Sequence, residues 1–458
     1  MNDEMQRAVG MMEREGAGSC DARYQEMMTL TIKVVDGTVR SLKRDRMGGI
    51  CLRSRIGGTW GYSTTVDTDK DSISRAAREA VRQAGMGDAP GEPLPKAVTE
   101  SRTMGSGAKM HPVDICLEDK LEAVNLLDQV QRVDDRVANT NSTYTESVRK
   151  NTLVNSFGAE KEWEEVRTAI GCMTVAADSG RTEFHYDSKD GTKGFELIMG
   201  SDLQTMGAEC GQEAVKMLSA GKPPSGEMVC ITDPGITGTL AHEVIGHAAE
   251  ADEVVKGRSF LTGRVGEQVA SEDITMIDDG TLEGAHGSIP LDDEGVPSSR
   301  SVLIQDGVYS GYLHTLETAA TMGVEPTGNG RAEDYSRRVW ARMTNTFFEP
   351  GDWTLDEMVE DMRYGIVTDK PISGMEDPVG GGFEAQALRG YLVEKGEIQG
   401  MVRSFALTGD ALEILKTTDA VGLEFRLDGG FCGKGIEDMV PVSAGGPYCR
   451  SRIVVGGD

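Results

Sequence analysis

Two histidines and a glutamate lie within six consecutive residues of this 458-residue chain, in the segment LAHEVIGH that starts at residue 240. The neutral imidazoles of His242 and His247 are good ligands for zinc. Glu243 is too close in sequence to His242 to ligate comfortably beside it, and it is placed to accept a proton from water activated by a metal. The segment therefore predicts a catalytic metal site. The alternative is a buried helix whose histidines are satisfied by backbone carbonyls.

The spacing of the two histidines is unusual, because they are five residues apart and not four as in the HExxH helix of many zinc peptidases. On an ideal helix, five steps of roughly 100° leave the two rings about 140° apart around the axis. A single π-type turn would return both rings to one face, and Gly246 is a residue that permits such a distortion. We therefore expect the helix to be distorted near Gly246.

A catalytic zinc usually takes three protein ligands and keeps one position for water, so a third ligand is needed. Glu250 or Glu253 would serve, but both lie so close on the same helix that the chain would have to reverse direction. The other route is a thiolate from far along the chain. Cys432 lies in a glycine-flanked loop that allows close backbone approach, and Lys434 nearby would favour its thiolate. Cys449 is the weaker alternative.

Composition predicts a globular protein without a nucleic-acid or membrane partner. The net charge of -28 opposes binding to a phosphate backbone. The first 20 residues mix acidic and basic side chains without an apolar core, so they resemble neither a signal peptide nor a membrane anchor, and no apolar run approaches the length of a membrane span. The eight cysteines lack CxxC pairing, which suits a reducing compartment. We expect a cytoplasmic protein.

The pattern of elements predicts an α+β fold in two domains. Residues 1–222 read as an N-terminal α+β domain with a linker-like stretch near 85–95, and a Pro/Gly-rich segment then breaks the pattern. Residues 223–458 open with a strand, a turn and the helix that carries the histidines. Short extended runs and glycine turns follow, which predicts a largely antiparallel β domain with the metal-binding helix packed against it.

Several further runs follow the histidine segment in the second half of the chain: Glu250-Ala251-Asp252, SFLTGRVGEQVAS from residue 259, IDDGT from 277, LDDEG from 291, TGNGR from 327, RMTNT from 342, Tyr364-Gly365-Ile366 and Cys432-Gly433-Lys434. Together with the histidine segment, these runs resemble the TldD branch of the TldD/PmbA metallopeptidase family. The match covers roughly the whole second half of the chain, whereas the first half is similar to the family in layout and not in motif.

In that family, the His-Glu-x3-His element and a cysteine near the carboxyl terminus are understood to hold zinc. The resemblance thus implies that His242, His247 and Cys432 bind one zinc ion per chain and that Glu243 is the general base. The family also has a branch that lacks this element and acts as a partner. The resemblance therefore implies the catalytic branch, as a homodimer or as a heterodimer with a PmbA-like subunit.

The expected activity is zinc-dependent hydrolysis of extended, unfolded peptides by a metal-activated water, for proteolysis or peptide maturation. The glycine-rich segment 380–383 is a candidate for pairing with substrate as an added strand, with plain turn chemistry as the equal alternative. Two rival hypotheses are a zinc-stabilised peptide-binding or regulatory subunit without turnover of its own, and a metal-free scaffold.

Three further features have weaker functional cases. The acidic run at 292–294 is a possible cation site, but a solvated turn is the preferred interpretation in so acidic a protein. Arg331 and Arg342 are candidates for binding a peptide carboxylate or a partner, and structural ion pairs are at least as good an explanation.

Overall fold

The computed structural model describes residues 1–434 and 438–456 and contains two large, mostly antiparallel β-sheets with helices packed on them. The α+β fold predicted from the sequence is confirmed. The predicted domain boundary at 222/223 lies in the connection between the last helix of the first unit and the first strand of the second, and it remains a prediction. Within the described ranges, every helix is too short or too polar to cross a membrane.

The first unit is a seven-stranded sheet in the order β3-β2-β1-β5-β6-β4, with β7 paired to β6. Its β1–β2 hairpin turns at Asp36 and Gly37, which both have positive φ as a two-residue turn requires. The elements of this unit are α1 Asn2–Arg14, β1 Ser19–Val35, β2 Thr38–Ile56, β3 Thr59–Thr65, α2 Lys70–Ala84, β4 Arg102–Met104, α3 Leu117–Val130, β5 Val137–Asn155, β6 Glu160–Asp178, β7 Arg181–Gly191, α4 Glu196–Met199 and α5 Leu203–Met217.

The two faces of the first sheet have different chemistry. One face is apolar, because alternate residues of β1 such as Ala22, Leu30 and Ile32 pack under helices α1, α2, α3 and α5. The residues between them point to the opposite face, where Arg23 and its neighbours contact the second unit. Because of the pleat, one face of the sheet packs against its own helices and the other face contacts the second unit.

The second unit contains a closed ring of five strands, in which β8 pairs with both β15 and β19, and β15, β16, β17 and β19 pair in succession. Further strands extend from β19. The elements of this unit are β8 Gly226–Thr232, α6 Pro234–Leu240, a π-helical turn Ala241–Gly246, α7 Ala251–Val255, β9 Met276–Asp279, β10 Arg300–Gln305, β11 Val308–Tyr309, α8 Leu316–Met322, β12 Gly330–Arg331, β13 Trp340–Ala341, β14 Asn345–Phe348, α9 Leu355–Glu360, β15 Tyr364–Glu376, β16 Gly382–Glu394, β17 Glu397–Asp410, α10 Ala411–Lys416, β18 Ala420–Cys432 and β19 Val440–Gly456.

Helix α6 begins directly after β8 and leads into the histidine segment. Asp233 caps it by accepting a hydrogen bond from the Gly235 amide, and Pro234 occupies the first helical turn, where a missing N–H costs little. Ile236 and Leu240 then pack into the largest apolar core, together with residues of β16, β17 and β19. This core holds the start of the histidine segment firmly in place.

The acidic run Asp292-Asp293-Glu294 is buried between the two units, so the solvated-turn interpretation is wrong. Asp293 pairs with Arg23 at 2.9 Å and with Arg149 at 2.8 Å, and both arginines come from the first sheet. Burial opposes the ionisation of Asp293, but Arg149 and Arg23 outweigh it and lower the pKa of its carboxyl. The run is an ionic contact that joins the two units.

Replacing Asp293 with alanine is expected to destabilise the protein by about 3–5 kcal/mol, because two buried guanidinium groups lose their partner. The matched control is Glu349→Ala, which removes an exposed pair with Arg300 and is expected to cost less than about 1 kcal/mol. The comparison is made by urea denaturation of both variants. Equal midpoints for the two variants would contradict the assigned role of Asp293.

Candidate metal centre

His242 and His247 are brought together by a wide helical turn. The six residues Ala241–Gly246 form a π-helix, and the two imidazole centroids lie 5.0 Å apart with their planes at 85°. This confirms the distortion that the five-residue spacing predicts. A side chain at Gly246 would displace the buried Met343, because an added Cβ would lie 2.1 Å from its Sδ.

Cys432, the last residue of β18, reaches the same point from a distant part of the chain. Its Sγ lies 3.4 Å from Nε2 of His247, and the ligand atoms of His242, His247 and Cys432 all lie within 4.8 Å of one another. All three side chains are buried. Cys449 lies elsewhere, on β19, where its carbonyl accepts a hydrogen bond from the Thr232 hydroxyl. The structure therefore brings Cys432 to the histidines and leaves Cys449 apart.

Electrostatics in this cluster favour a thiolate. Burial raises the pKa of the Cys432 thiol, but the charges and hydrogen bonds of His242 and His247 outweigh burial and hold this pKa well below its usual range. Burial lowers the pKa of each imidazole, and attraction to the Cys432 thiolate reverses that effect, so the pKa values of His242 and His247 are both raised. The cluster is thus a buried site with a negatively charged sulfur.

Glu250 is a partner of His247 and not a third ligand. Its Oε2 lies 3.5 Å from Nδ1 of His247, the ring nitrogen that faces away from the Cys432 sulfur. Nζ of Lys434 donates to the same carboxylate at 2.8 Å. Burial raises the pKa of Glu250, but Lys434 and His247 reverse this and keep the pKa below its usual range. A carboxylate in this position fixes the orientation of a ligating imidazole.

Lys434 and Arg342 hold the surroundings of Glu250 together. Lys434 donates to Glu250 and Asp252, at 2.8 Å each, so its charge stabilises these two carboxylates. The sequence had suggested that it would stabilise the thiolate. Arg342 is fully buried and donates to the backbone carbonyls of Cys432 and Asp438, with its Nε 3.5 Å from Glu250. One guanidinium therefore links the carboxylate to the strand end that carries the cysteine.

Arg331 is also structural, since it is buried and donates to the carbonyls of Met343 and Pro441. A peptide carboxylate has no access to either arginine. The second interpretation given to Arg331 and Arg342, a structural role, is the one that their contacts support. Backbone carbonyls are the main acceptors for both guanidinium groups, which the sequence could not indicate.

Glu243 has a different environment from its buried neighbours. Its side chain is 23% exposed, and its Oε2 lies 3.9 Å from Nε2 of His247. It lines two adjoining cavities, one of about 190 Å³ that also contains His242 and one of about 890 Å³ that extends toward β7 and α5. Glu243 is therefore the carboxylate of this group that is open to a substrate.

The residues present fit a metal ion. Two imidazoles and a thiolate are a donor set that suits a borderline-soft divalent ion, and three protein ligands leave a position open. Nδ1 of His242 is buried and has no hydrogen-bond partner among the described groups, a cost that a bound cation or its water can relieve. When a metal is bound, His242, His247 and Cys432 would hold it.

An open strand edge lies beside Glu243. Residues 371–376 of β15 pair with β16 on one side only, because the pairing of β15 with β8 ends at Val367. A Cβ added to Gly374 would lie 3.0 Å from Cγ of Glu243, so the backbone here runs directly against that side chain. Sequence reasoning missed this edge, because the strand pairing that leaves it open involves residues far apart in the chain.

The glycines at 380–383 are part of a hairpin and offer no such edge. Gly381 has a φ of 77°, and Phe383 is paired with β15 on one side and β17 on the other. Gly382 pairs with β17 and its carbonyl accepts a hydrogen bond from the Asp377 amide. Turn chemistry is thus the correct explanation for these glycines. Residues 435–437, which follow Cys432-Gly433-Lys434, lie outside the described residues.

Family models match three successive parts of the chain. A model described as PmbA/TldA metallopeptidase domain 1 matches residues 20–84, one described as the central domain matches residues 111–219, and one described as the C-terminal domain matches residues 225–457. The C-terminal match contains every residue of the metal cluster and its carboxylate partners.

Curated relatives match along most of the chain. A Methanothermobacter thermautotrophicus protein named "Metalloprotease" is 36% identical over 438 residues, which are 95% of each chain. A Haemophilus influenzae protein named "Metalloprotease TldD homolog" is 31% identical and covers 98% of this chain and 94% of its own length. A Saccharolobus solfataricus protein named "Zinc metalloprotease TldD homolog" is 30% identical over 56% of this chain and 57% of its own.

Solved structures share the fold at lower identity. A Thermotoga maritima protein superposes with a TM-score of 0.81 at 20% identity, covering 99% of this chain and 100% of that one. TldE from Thermococcus kodakarensis gives a TM-score of 0.78 at 19% identity, with the same coverage. At this identity the likeness establishes the fold alone.

Glu250→Gln is expected to weaken metal affinity about 10- to 100-fold, because the neutral amide no longer stabilises and orients His247. The matched control is Glu253→Gln in helix α7, where the carboxylate pairs with Lys256 and Arg258 away from the cluster and the affinity should stay unchanged. Affinity is measured by chelator competition on protein that circular dichroism shows to be folded. An unchanged affinity in folded Glu250→Gln would contradict the assigned role of Glu250.

Proposed function

The chain belongs to the PmbA/TldD metallopeptidase family, and we propose that it is a zinc peptidase in which His242, His247 and Cys432 bind one zinc ion and Glu243 is the general base. The observation that carries this proposal is the position of the Glu243 carboxylate, which lies beside three mutually close ligand atoms and faces an open cavity. The zinc named for the Saccharolobus relative supports the choice of metal. One such cluster among the described residues supports one ion per chain.

In the proposed mechanism, a bound zinc ion supplies a Lewis acid that polarises the scissile carbonyl and lowers the pKa of water. Glu243 accepts the proton of the attacking water and passes it to the leaving amine. The partial exposure of its carboxylate supports this role, because a general base must reach both the water and the substrate. Glu250 keeps the His247 ring in position and takes no part in proton transfer.

The proposed substrate is an extended, unfolded peptide. Residues 372–376 of β15 pair with β16 on one side only and lie beside Glu243, so a peptide can add to β15 as a further strand through main-chain hydrogen bonds. Such pairing requires an extended substrate and is indifferent to most side chains. A folded protein has few segments free to pair in this way, which supports unfolded chains as the substrate class.

The rival function, a zinc-stabilised peptide-binding or regulatory subunit, is less well supported. A structural zinc site is closed by four protein ligands, whereas three cluster here among the described residues. A structural site also has no use for a carboxylate at the cavity wall. The peptidase is therefore the function we propose.

The proposed active particle is a dimer, formed by two copies of this chain or by this chain and a PmbA-like subunit. The fold shared with TldE over 99% of the chain supports a partner built on the same plan. Native mass measurement of the chain, purified alone and with a candidate partner, distinguishes the two arrangements.

Glu243→Gln is expected to retain zinc and to lose peptide cleavage by about 10²- to 10⁴-fold, because the amide cannot accept the proton of the attacking water. Cleavage of an unstructured peptide is measured for the wild type and the variant, alone and with the candidate partner, together with bound zinc. Equal cleavage by both proteins would exclude Glu243 as the base. Loss of zinc from the variant would instead indicate a role in binding the metal.

Cys432→Ser is expected to leave less than about half an equivalent of bound zinc, because a serine hydroxyl is a much poorer ligand than a thiolate. Cys449→Ser is the matched control, since Cys449 is equally buried but lies outside the cluster, and it should bind as much zinc as the wild type. Metal analysis of the three purified proteins tests this. The opposite pattern, with zinc lost only from Cys449→Ser, would contradict the ligand assignment.

A further inference from the structure

We propose that a cavity behind Phe431 binds the aromatic side chain, preferentially a tyrosine, of the peptide residue next to the scissile bond. This cavity of about 600 Å³, here called the Phe431 pocket, lies between the first sheet and the strand that ends at Cys432. The inference rests on the proposed peptidase function and adds a side-chain preference to it.

The Phe431 pocket adjoins the proposed catalytic site. Gly429, Gly430 and Phe431 line this pocket and also both of the cavities that contain Glu243, so a single strand segment separates them. Cys432 is the next residue along the chain. Because consecutive Cα atoms are about 3.8 Å apart, the Phe431 side of the pocket lies one residue along the backbone from Cys432.

The walls of the pocket are mainly apolar. Alternate residues of three neighbouring strands form its floor, on the face of the first sheet that carries no helices, and Thr31, Thr145 and Ala169 are successive cross-strand partners there. Phe431, Met439 and Pro441 lie on the opposite side. Methyl, methylene and ring groups on both sides favour an apolar or aromatic side chain over a charged one.

Most of the charged residues that also line the pocket have partners within the protein. Lys43 pairs with Asp45 at 2.9 Å, and the Glu333 carboxylate, one oxygen of which makes no hydrogen bond, lies 3.8 Å from Arg337. Arg149 pairs with Asp293, and Arg167 pairs with Glu165 at 2.7 Å. Glu146 pairs with Lys120 at 2.7 Å. The paired groups do not need a charged substrate side chain to complete their contacts, so the apolar walls decide the preference.

One end of the pocket is formed by a polar side chain, His286, that has no hydrogen-bond partner. His286 is only 7% exposed, and neither of its ring nitrogens makes a hydrogen bond, although Nδ1 lies 3.6 Å from the Asp190 carboxylate. Burial lowers the pKa of His286 to about 3, so the ring is neutral and offers one donor and one acceptor. The His286 ring is thus an unsatisfied polar group with which a tyrosine hydroxyl could pair, which is why we expect tyrosine to exceed phenylalanine.

The Phe431 ring completes the site for an aromatic guest. It lies edge-to-face with His286, at 5.7 Å between centroids and 78° between planes, and it is 64% exposed. Aromatic pairs prefer this geometry, so a substrate ring in the pocket gains contact with Phe431 beyond its apolar burial. A small or acidic side chain gains neither the apolar burial nor the ring contact with Phe431.

The test uses four unstructured peptides that differ only in the residue next to the scissile bond: Tyr, Phe, Ala or Asp. Binding is measured with zinc-loaded Glu243→Gln, and kcat/KM is measured with the wild type. Both measurements are expected to favour Tyr and Phe over Ala by about tenfold or more through apolar burial. Tyr is expected to exceed Phe by a smaller factor, about threefold, through one added hydrogen bond.

Variants of pocket residues test whether the preference for an aromatic side chain comes from the pocket. Thr145→Phe fills the pocket and should bring the Tyr-to-Ala ratio toward one, whereas Thr143→Phe, on the same strand face but outside the cavity, should keep the wild-type ratio. Thr31→Phe fills the pocket from a neighbouring strand and replaces Thr145→Phe if that variant does not fold. His286→Phe should remove the advantage of Tyr over Phe and keep that of Phe over Ala.

The possible results distinguish a failure of the pocket proposal from a failure of the proposed peptidase function. Equal binding and cleavage of all four peptides would overturn the pocket and leave the proposed function standing. An aromatic preference in binding without cleavage that depends on Glu243 would support the pocket and overturn the proposed function. A preference that Thr145→Phe and Thr31→Phe leave unchanged would overturn the pocket.

Discussion

The mutual attraction of a buried thiolate and two buried imidazoles is the interaction on which the site depends. Charges removed from water are costly unless they are paired or bound to a metal, and here the three groups lie within 4.8 Å of one another. This closeness requires two backbone conditions at once. The helix must widen into a π-turn at Ala241–Gly246, and β18 must end beside it.

The surrounding residues maintain both conditions. Arg342 links the carbonyl of Cys432 to the carboxylate of Glu250, and Glu250 in turn faces the imidazole of His247. The helix side and the strand side of the cluster are therefore joined by one buried guanidinium. Further out, Asp293 and its two arginines hold the first sheet against this unit, which is how the face of that sheet comes to line cavities next to the site.

The sequence predicted the local features of this arrangement and could not predict the distant ones. The five-residue spacing and Gly246 indicated the π-turn, because helix geometry is a local property. Cys432 was favoured over Cys449 only narrowly by residue chemistry, since no local rule brings together residues 185 positions apart. The acidic run at 292–294 was misjudged for the same reason, because its arginine partners come from another sheet. The open edge of β15 depends on where its pairing with β8 ends, and the sequence gives no local sign of that.

X-ray absorption at the zinc edge of the purified wild-type chain can show whether one zinc ion is bound by two imidazoles and the thiolate of Cys432, as we propose. We expect one sulfur ligand at about 2.3 Å together with nitrogen or oxygen ligands at about 2.0–2.1 Å, the distances usual for zinc. A spectrum with no sulfur ligand, or with two or more, would contradict this proposal.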